Sequence, residues 1–329
     1  MKLPRRQFLH LAAGAAALIT LTNTPLAQDW PIRPVTMVYP FAAGSAADVL
    51  GRLFGSRLSE LLGQTVVFEN VGGAGGMIGS NRVAKAAPDG YQFVLGGTFM
   101  VLNQALYKNP LYNATTDFAP VVLIVEQPVV LIARKDFPAN DLSEFIAYAR
   151  ANQAKMQYGS GGVGSMPHLA CELLNAAIGI NTTHVPYRGG GPMMPDLIAG
   201  RIDYNCSLAA LAIPQIESKT VKAIAIFAKS RLPILPNLAS AHEQGLSNFE
   251  VNPWYAFFLP KGTPVPIVQK LREAIIATTA TPAVQEKLKE LGYVLVAQER
   301  RSTEYLRKFV ESEVEKWAGV IKAANIKPE

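Results

Sequence analysis

The chain has 329 residues, 49% of them apolar and 17% charged. That is long enough for two α/β domains and too apolar for a disordered, coiled-coil or nucleic-acid-tail protein. Two cysteines exclude a disulfide scaffold and a thiolate-built zinc site, and 31 basic against 25 acidic residues give a formal charge of +6.

Residues 1–28 read as an export signal: Lys2, Arg5 and Arg6, an apolar stretch rich in Leu and Ala from Phe8 to Leu21, and a small-residue exit at Pro25-Leu26-Ala27. The stretch is too rich in Ala, Gly and Thr for a membrane span. Arg5-Arg6 followed by Gln7-Phe8-Leu9 resembles a twin-arginine signal, with an ordinary secretory signal as the alternative. Its removal leaves 28 basic and 25 acidic residues.

After the signal, strand and helix patterns alternate. A strand at 35–39 precedes a helix at 46–62, with Val49, Leu50, Leu53, Phe54, Leu58 and Leu61 on one stripe and Gly63 as its stop. A strand at 66–68, a glycine loop, a helix through Val83 and a strand at 91–95 follow. The run 121–133 is broken by Glu126, Gln127 and Pro128 into two strands. Next come a helix at 142–152, a strand at 156–158, a helix at 167–177, a strand at 182–185 and a helix near 192–199. A strand at 202–206, a helix through Ile216 and a strand at 221–227 continue the series. Residues 231–246 read as a loop with a short helix, and 252–259 as an aromatic strand. Three helical patterns run from Pro264, the last at 304–324. The alternation implies an α/β fold of parallel sheets covered by helices. The returning C-terminal part divides it into a first domain of residues 29–124 plus 252–329 and an inserted second domain of 125–251.

Reactive constellations are nearly absent. There is no HExxH, CxxC or GxSxG motif and no Gly-Lys pair for a P-loop. His184 reads as structural, and no metal site is expected. Cys171 on a helix and Cys206 on a strand read as two buried free thiols, with pairing left open.

What stands out is glycine after strands: Tyr39-Pro-Phe-Ala-Ala-Gly-Ser-Ala-Ala-Asp48, Asn70-Val-Gly-Gly-Ala-Gly-Gly-Met77, Gly96-Gly-Thr98 and Tyr158-Gly-Ser-Gly-Gly-Val-Gly-Ser165. Each brings bare amides to a helix start or strand end, where an anion is favoured. A tight turn is the alternative for any one loop, and the better reading for Gly72 to Gly76. Cations are nearly absent from these loops, which suits a carboxylate held reversibly by amides and hydroxyls. Gly159, Gly161 and Gly164 have dinucleotide-fingerprint spacing, but no ribose-binding acid follows the next strand, so no cofactor is expected.

Arg33-Pro34, Pro40-Phe41…Gly44…Asp48…Arg52, Val67…Glu69-Asn70…Gly73-Ala74-Gly75-Gly76 and Ala84-Lys85-Ala86-Ala87-Pro88-Asp89-Gly90-Tyr91 form an ordered series. It continues with Asp117-Phe118-Ala119-Pro120, Tyr158-Gly159-Ser160…Gly164-Ser165…Pro167-His168-Leu169, His184-Val185-Pro186-Tyr187 and Leu259-Pro-x-Gly-Thr-Pro264. In this order the motifs resemble the Bug (TctC-like) family, solute-binding proteins of tripartite tricarboxylate transporters. The resemblance implies a type II periplasmic-binding-protein (Venus-flytrap) fold of two hinged α/β domains. It also implies no enzymatic activity, a periplasmic location, a monomer, a small carboxylate ligand, membrane permease partners and no nucleic acid. A sensor kinase is the alternative partner, and an exported enzyme the remote alternative function. The chain departs from the family at Ala42-Ala43 in the first loop and at Cys206-Ser207-Leu208, where many members carry an acid. Losing that acid disfavours an amino-acid ligand.

The expected cleft comprises Phe41, Gly44, Ser45, Ala46 and Asp48 of the first loop, with Thr98 and Asn103. Opposite them stand Ser160, Gly161, Ser165, His168, Tyr187 and Ser207. Ser45 and Ser165 can cap their helices or face the anion. Asp48 is expected to orient the loop amides, and Trp254 to form an apolar wall by its family position.

Overall fold

The computed structural model describes residues 30–323 apart from 42, 44, 45, 188 and 189. The expected export signal lies outside these residues. Two sheets organise the described chain.

The first sheet contains β1 (Val35–Tyr39), β2 (Val66–Asn70), β3 (Gln92–Gly97), β4 (Phe118–Glu126), β10 (Trp254–Pro260) and β11 (Val294–Leu295), in the order β11-β4-β10-β3-β1-β2. The second contains β5 (Val129–Arg134), β6 (Gln157–Ser160), β7 (Thr183–Pro186), β8 (Tyr204–Leu208) and β9 (Val221–Ile226), in the order β7-β6-β8-β5-β9.

The expectation of parallel sheets holds only in part. β1 runs parallel to β2 and β3, and β6 to β7 and β8. β10 is antiparallel to β3 and β4, and β5 to β8 and β9. The reason lies in the connections. A helical crossover between neighbouring strands returns the chain in the same direction, but β4 passes into β5, and β9 leads towards β10, by crossing from one sheet to the other.

Helices cover both faces of each sheet. On one face of the first lie α1 (Ala46–Leu62) and α8 (Val265–Thr279), whose Leu50, Phe54, Leu58 and Leu271 are fully buried with Phe93 and Phe257. Val49 and Leu61, expected on that stripe, are exposed, so the apolar face of α1 is narrower than its composition implied. The opposite face carries α2 (Met77–Ala84), α3 (Thr98–Leu106) and α10 (Thr303–Ala323). A shorter helix, α9 (Pro282–Glu290), precedes β11.

In the second sheet, α4 (Leu142–Asn152) and α5 (Met166–Ile178) bury Phe145, Leu169 and Leu174 against Tyr158 and Tyr204. On the other side, α6 (Gly190–Ile198) and α7 (Ala209–Glu217) bury Met193, Leu197 and Ile213 against Val130 and Ile132. Local signals set the helix ends. The Asp141 carboxylate caps α4 by accepting from Glu144 N–H at 2.8 Å, and Gly179 ends α5 in the left-handed region at φ 69°.

The two cysteines are not free thiols. Cys171 on α5 and Cys206 on β8 form a disulfide, their Cα atoms 5.4 Å apart. α5 packs flat on β8, which brings the side chains together across that contact.

A buried carboxylate joins the C-terminal helix to the first sheet. Glu313 Oε2 accepts from the indole N–H of both Trp254 and Trp317 at 2.9 Å, while Lys316 pairs with its Oε1 at 2.9 Å. Removing the acceptor strands two buried donors, each costing about 1–3 kcal/mol. Glu313→Ala is therefore expected to lower unfolding free energy by about 3 kcal/mol in urea titrations; a loss below about 0.5 kcal/mol, the range of an ordinary surface change, would contradict this.

Candidate functional site

The parallel strands of both sheets end in the loops that carry the candidate residues, where α/β folds place their ligands. β1 leads into the loop before α1, β3 into Thr98, β6 into the glycine loop before α5, and β8 into Ser207 and α7. The segments 41–48, 96–98, 158–168 and 205–209 contain no Lys or Arg.

In the first loop, Gly44 and Ser45 lie outside the described residues, and Ala46 opens α1. Asp48, 5% exposed, accepts from Arg52 Nε at 3.2 Å and from Asn70 Nδ2 at 2.9 Å. Asn70 Nδ2 also donates to the Phe41 carbonyl at 3.0 Å. The Asp48 charge thus ties the start of α1 to the end of β2. The Phe41 ring meets Phe99 edge-on, centroids 4.9 Å apart, and so lies over the start of α3.

Thr98 is buried, and its Oγ1 accepts from Trp254 N–H at 2.8 Å. Asn103 turns inward: its Nδ2 donates to the Gly75 carbonyl at 3.1 Å, holding the turn in which Gly75 adopts φ 60°. A Cβ on Gly75 would come within 3.0 Å of Asn103 Oδ1, so this second glycine loop has the structural role read for it.

On the second sheet, Ser160 Oγ accepts from Gly162 N–H at 3.0 Å and lies 2.7 Å from His184 Nε2. Gly161 continues into a turn in which Gly162 and Gly164 take φ 118° and 73°. A Cβ on Gly164 would stand 3.1 Å from Leu106 of α3, so this loop lies against the first sheet's helix. Ser165 starts α5 without capping it, and its Oγ is buried with no hydrogen-bond partner among the described residues. Ser207 is fully buried, and its Oγ is equally unpartnered among them.

Two candidates are turned elsewhere. The Tyr187 hydroxyl donates to Asp196 of α6 at 2.7 Å; burial, together with that carboxylate, pushes the phenol up to about 12. Trp254 is 1% exposed, packs beside Phe258 and Phe309, and points its N–H at Glu313. The expected apolar wall is corrected to a core anchor. β10 is an interior strand of a sheet covered on both faces, so alternation along it chooses between two cores.

Sequence reasoning missed Gln127, which follows β4. It is fully buried, and neither end of its carboxamide has a partner among the described residues. Its only signal was as a polar interruption in an apolar run.

His168 and His184 form a stack with Tyr158. The imidazole centroids are 4.2 Å apart, and the Tyr158 ring lies 4.9 Å from that of His184. The Tyr158 hydroxyl bonds to Glu172, and Gly164 N–H donates to His168 Nδ1 at 3.2 Å. Burial lowers both imidazoles, His184 to about 4, with the neighbouring His168 adding to its shift. Both stay neutral while an unfolded chain takes up protons near 6.5. The stability contributed by keeping His184 neutral is therefore complete above pH 6.5 and falls as pH is lowered from there to about 4, and His168 acts in the same direction. We expect thermal midpoints measured from pH 4 to 8 to rise with pH over that window, and His184→Gln to flatten the rise; an unchanged slope would refute the assignment.

Among the described residues, no cluster of His, Cys, Asp or Glu could hold a metal, and no helix is long and apolar enough to cross a membrane. The parallel strands of both sheets thus end in polar, cation-poor loops, the position where α/β folds bind their ligands.

The chain belongs to the family described as "Tripartite tricarboxylate transporter family receptor", whose model matches residues 50–326. The periplasmic binding protein BugD is similar at 40% identity and a TM-score of 0.82, over 91% of this chain and 100% of that one. MatC from Rhodopseudomonas palustris, solved with malate, is 38% identical with a TM-score of 0.80 over 89% of this chain and 100% of its own. A second R. palustris protein, solved with adipate, is 34% identical with a TM-score of 0.83 over 91% and 100%.

Proposed function

We propose that this protein captures a small organic carboxylate in the periplasm and delivers it to the membrane permease of a tripartite-type transporter. Residues 29–124 with 252–329 would form one lobe and 125–251 the other, closing on the solute as a monomer. The observation that carries this reading is the pair of buried, unpartnered hydroxyls, Ser165 and Ser207, at strand ends whose loops contain no Lys or Arg.

Buried polar groups are nearly always hydrogen-bonded, and unpaired ones lose free energy. Hydroxyls and helix-start amides can hold a carboxylate without a cation, giving the reversible grip a carrier needs. The carboxylates bound by two relatives, malate and adipate, support the substrate class. Cys206-Ser207-Leu208 stands where the family resemblance implies an acid able to pair with an ammonium group, so the reading favours carboxylates without an amino group.

The test is a thermal-shift and calorimetric screen with malate and adipate on the exported protein. A solute at 100 times its Kd adds about 2.7 kcal/mol to stability. Ser165→Ala and Ser207→Ala are each expected to weaken binding about tenfold, the loss of roughly one hydrogen bond. Arg52→Ala is expected to reduce binding without abolishing it, because Arg52 acts through Asp48. Failure of carboxylates to bind, or a single Lys or Arg variant that loses all affinity, would overturn the proposal.

A further inference from the structure

We infer that the Gln127 carboxamide is a specificity-determining contact, recognising a second oxygen-bearing group on the solute. This rests on the carboxylate-binding reading and says which carboxylates the site prefers.

Gln127 occupies the join between the two sheets. Its backbone N–H donates to the Pro253 carbonyl at 2.7 Å, and the next residue, Trp254, gives its N–H to Thr98 Oγ1 at 2.8 Å. On the other side, the Pro128 carbonyl accepts from Ala209 N–H at 3.1 Å, two residues after Ser207. Gln127 thus sits in the connecting segment whose neighbours bond to Thr98 of one sheet and to Ala209, two residues from Ser207, of the other.

Its side chain serves no visible structural bond. It is fully buried, with neither end partnered among the described residues. Its neighbour Glu126 is spent on Arg300 at 2.6 Å. A carboxamide offers two donors and an acceptor, and burying it unpaired is costly, whereas an apolar side chain of similar shape would carry no such cost. A neutral amide can meet a hydroxyl, a carbonyl or a carboxylate oxygen. It discriminates against a solute that ends in a methyl group, which leaves the amide unpaired in the complex. The preferred solute is therefore a dicarboxylate or hydroxycarboxylate over the monocarboxylate of equal length.

The experiment measures malate against butyrate and adipate against hexanoate by calorimetry, on the wild-type full-length exported protein and on Gln127→Leu and Gln127→Met. We expect the wild type to favour the dicarboxylate of at least one pair. Both variants should lose at least tenfold in affinity for it and keep their affinity for its monocarboxylate counterpart. Their unliganded thermal midpoints should equal or exceed the wild type's, because an unpaired buried amide has been removed. Wild-type preference retained in both variants would overturn the role of Gln127 while leaving carboxylate binding intact. Lowered midpoints in both variants would mark Gln127 as structural and overturn it equally. A wild type that binds none of the four acids would overturn both readings.

Discussion

The first sheet is completed by a strand that the chain supplies only after the second sheet has been formed. β10 lies between β3 and β4, pairing Tyr255 with Gly97 on one side and Trp254 with Glu126 on the other. Without it those two strands have no common neighbour. Two segments must therefore pass between the sheets, and they run side by side: Gln127 N–H reaches the Pro253 carbonyl at 2.7 Å and Val129 N–H the Val251 carbonyl at 3.2 Å. Such long-range pairing has a high loop-closure cost and slows folding. The crossing also ties the ends of β3 and β8 to the two connecting segments, through Trp254 N–H to Thr98 Oγ1 at 2.8 Å and Ala209 N–H to the Pro128 carbonyl at 3.1 Å. α10 packs the same strand from behind, through Trp254 and Glu313.

Much of this was legible in the sequence, since apolar periodicity and turn residues are local. The 142–152 helix, the strands either side of Pro128 and the three C-terminal helices fall where their patterns put them. Strand direction was not legible near the crossings, because it depends on where the chain goes next. The helix after Thr98 was missed: it follows β3 directly, with only Gly97 at the boundary and no side-chain cap to announce it. The cysteines each read as a small buried hydrophobe, and only the packing of α5 on β8 pairs them.

The candidate site was legible unevenly. Polar residues at strand ends and helix starts, such as Thr98, Ser160, Ser165 and Ser207, are candidates by position alone. What their hydroxyls bond to is tertiary information: Ser160 is engaged with Gly162, whereas Ser165 and Ser207 are unpartnered among the described residues. Trp254 shows the limit of alternation, which reports two faces and not what covers them. Gln127 shows another, since Pro128 already accounts for a break in the apolar run and the glutamine beside it drew no separate reading.

The Cys171–Cys206 bond acts on more than the packing of α5 on β8. Cys206 adjoins Ser207, and Cys171 lies six residues beyond Ser165 on the helix that Ser165 begins. The covalent link makes the two hydroxyl-bearing elements one body. Under the proposed function, a solute spanning both hydroxyls would meet a fixed gauge and pay little to order it. Were the proposed lobes to hinge, access to the solute would change without changing the length that is measured.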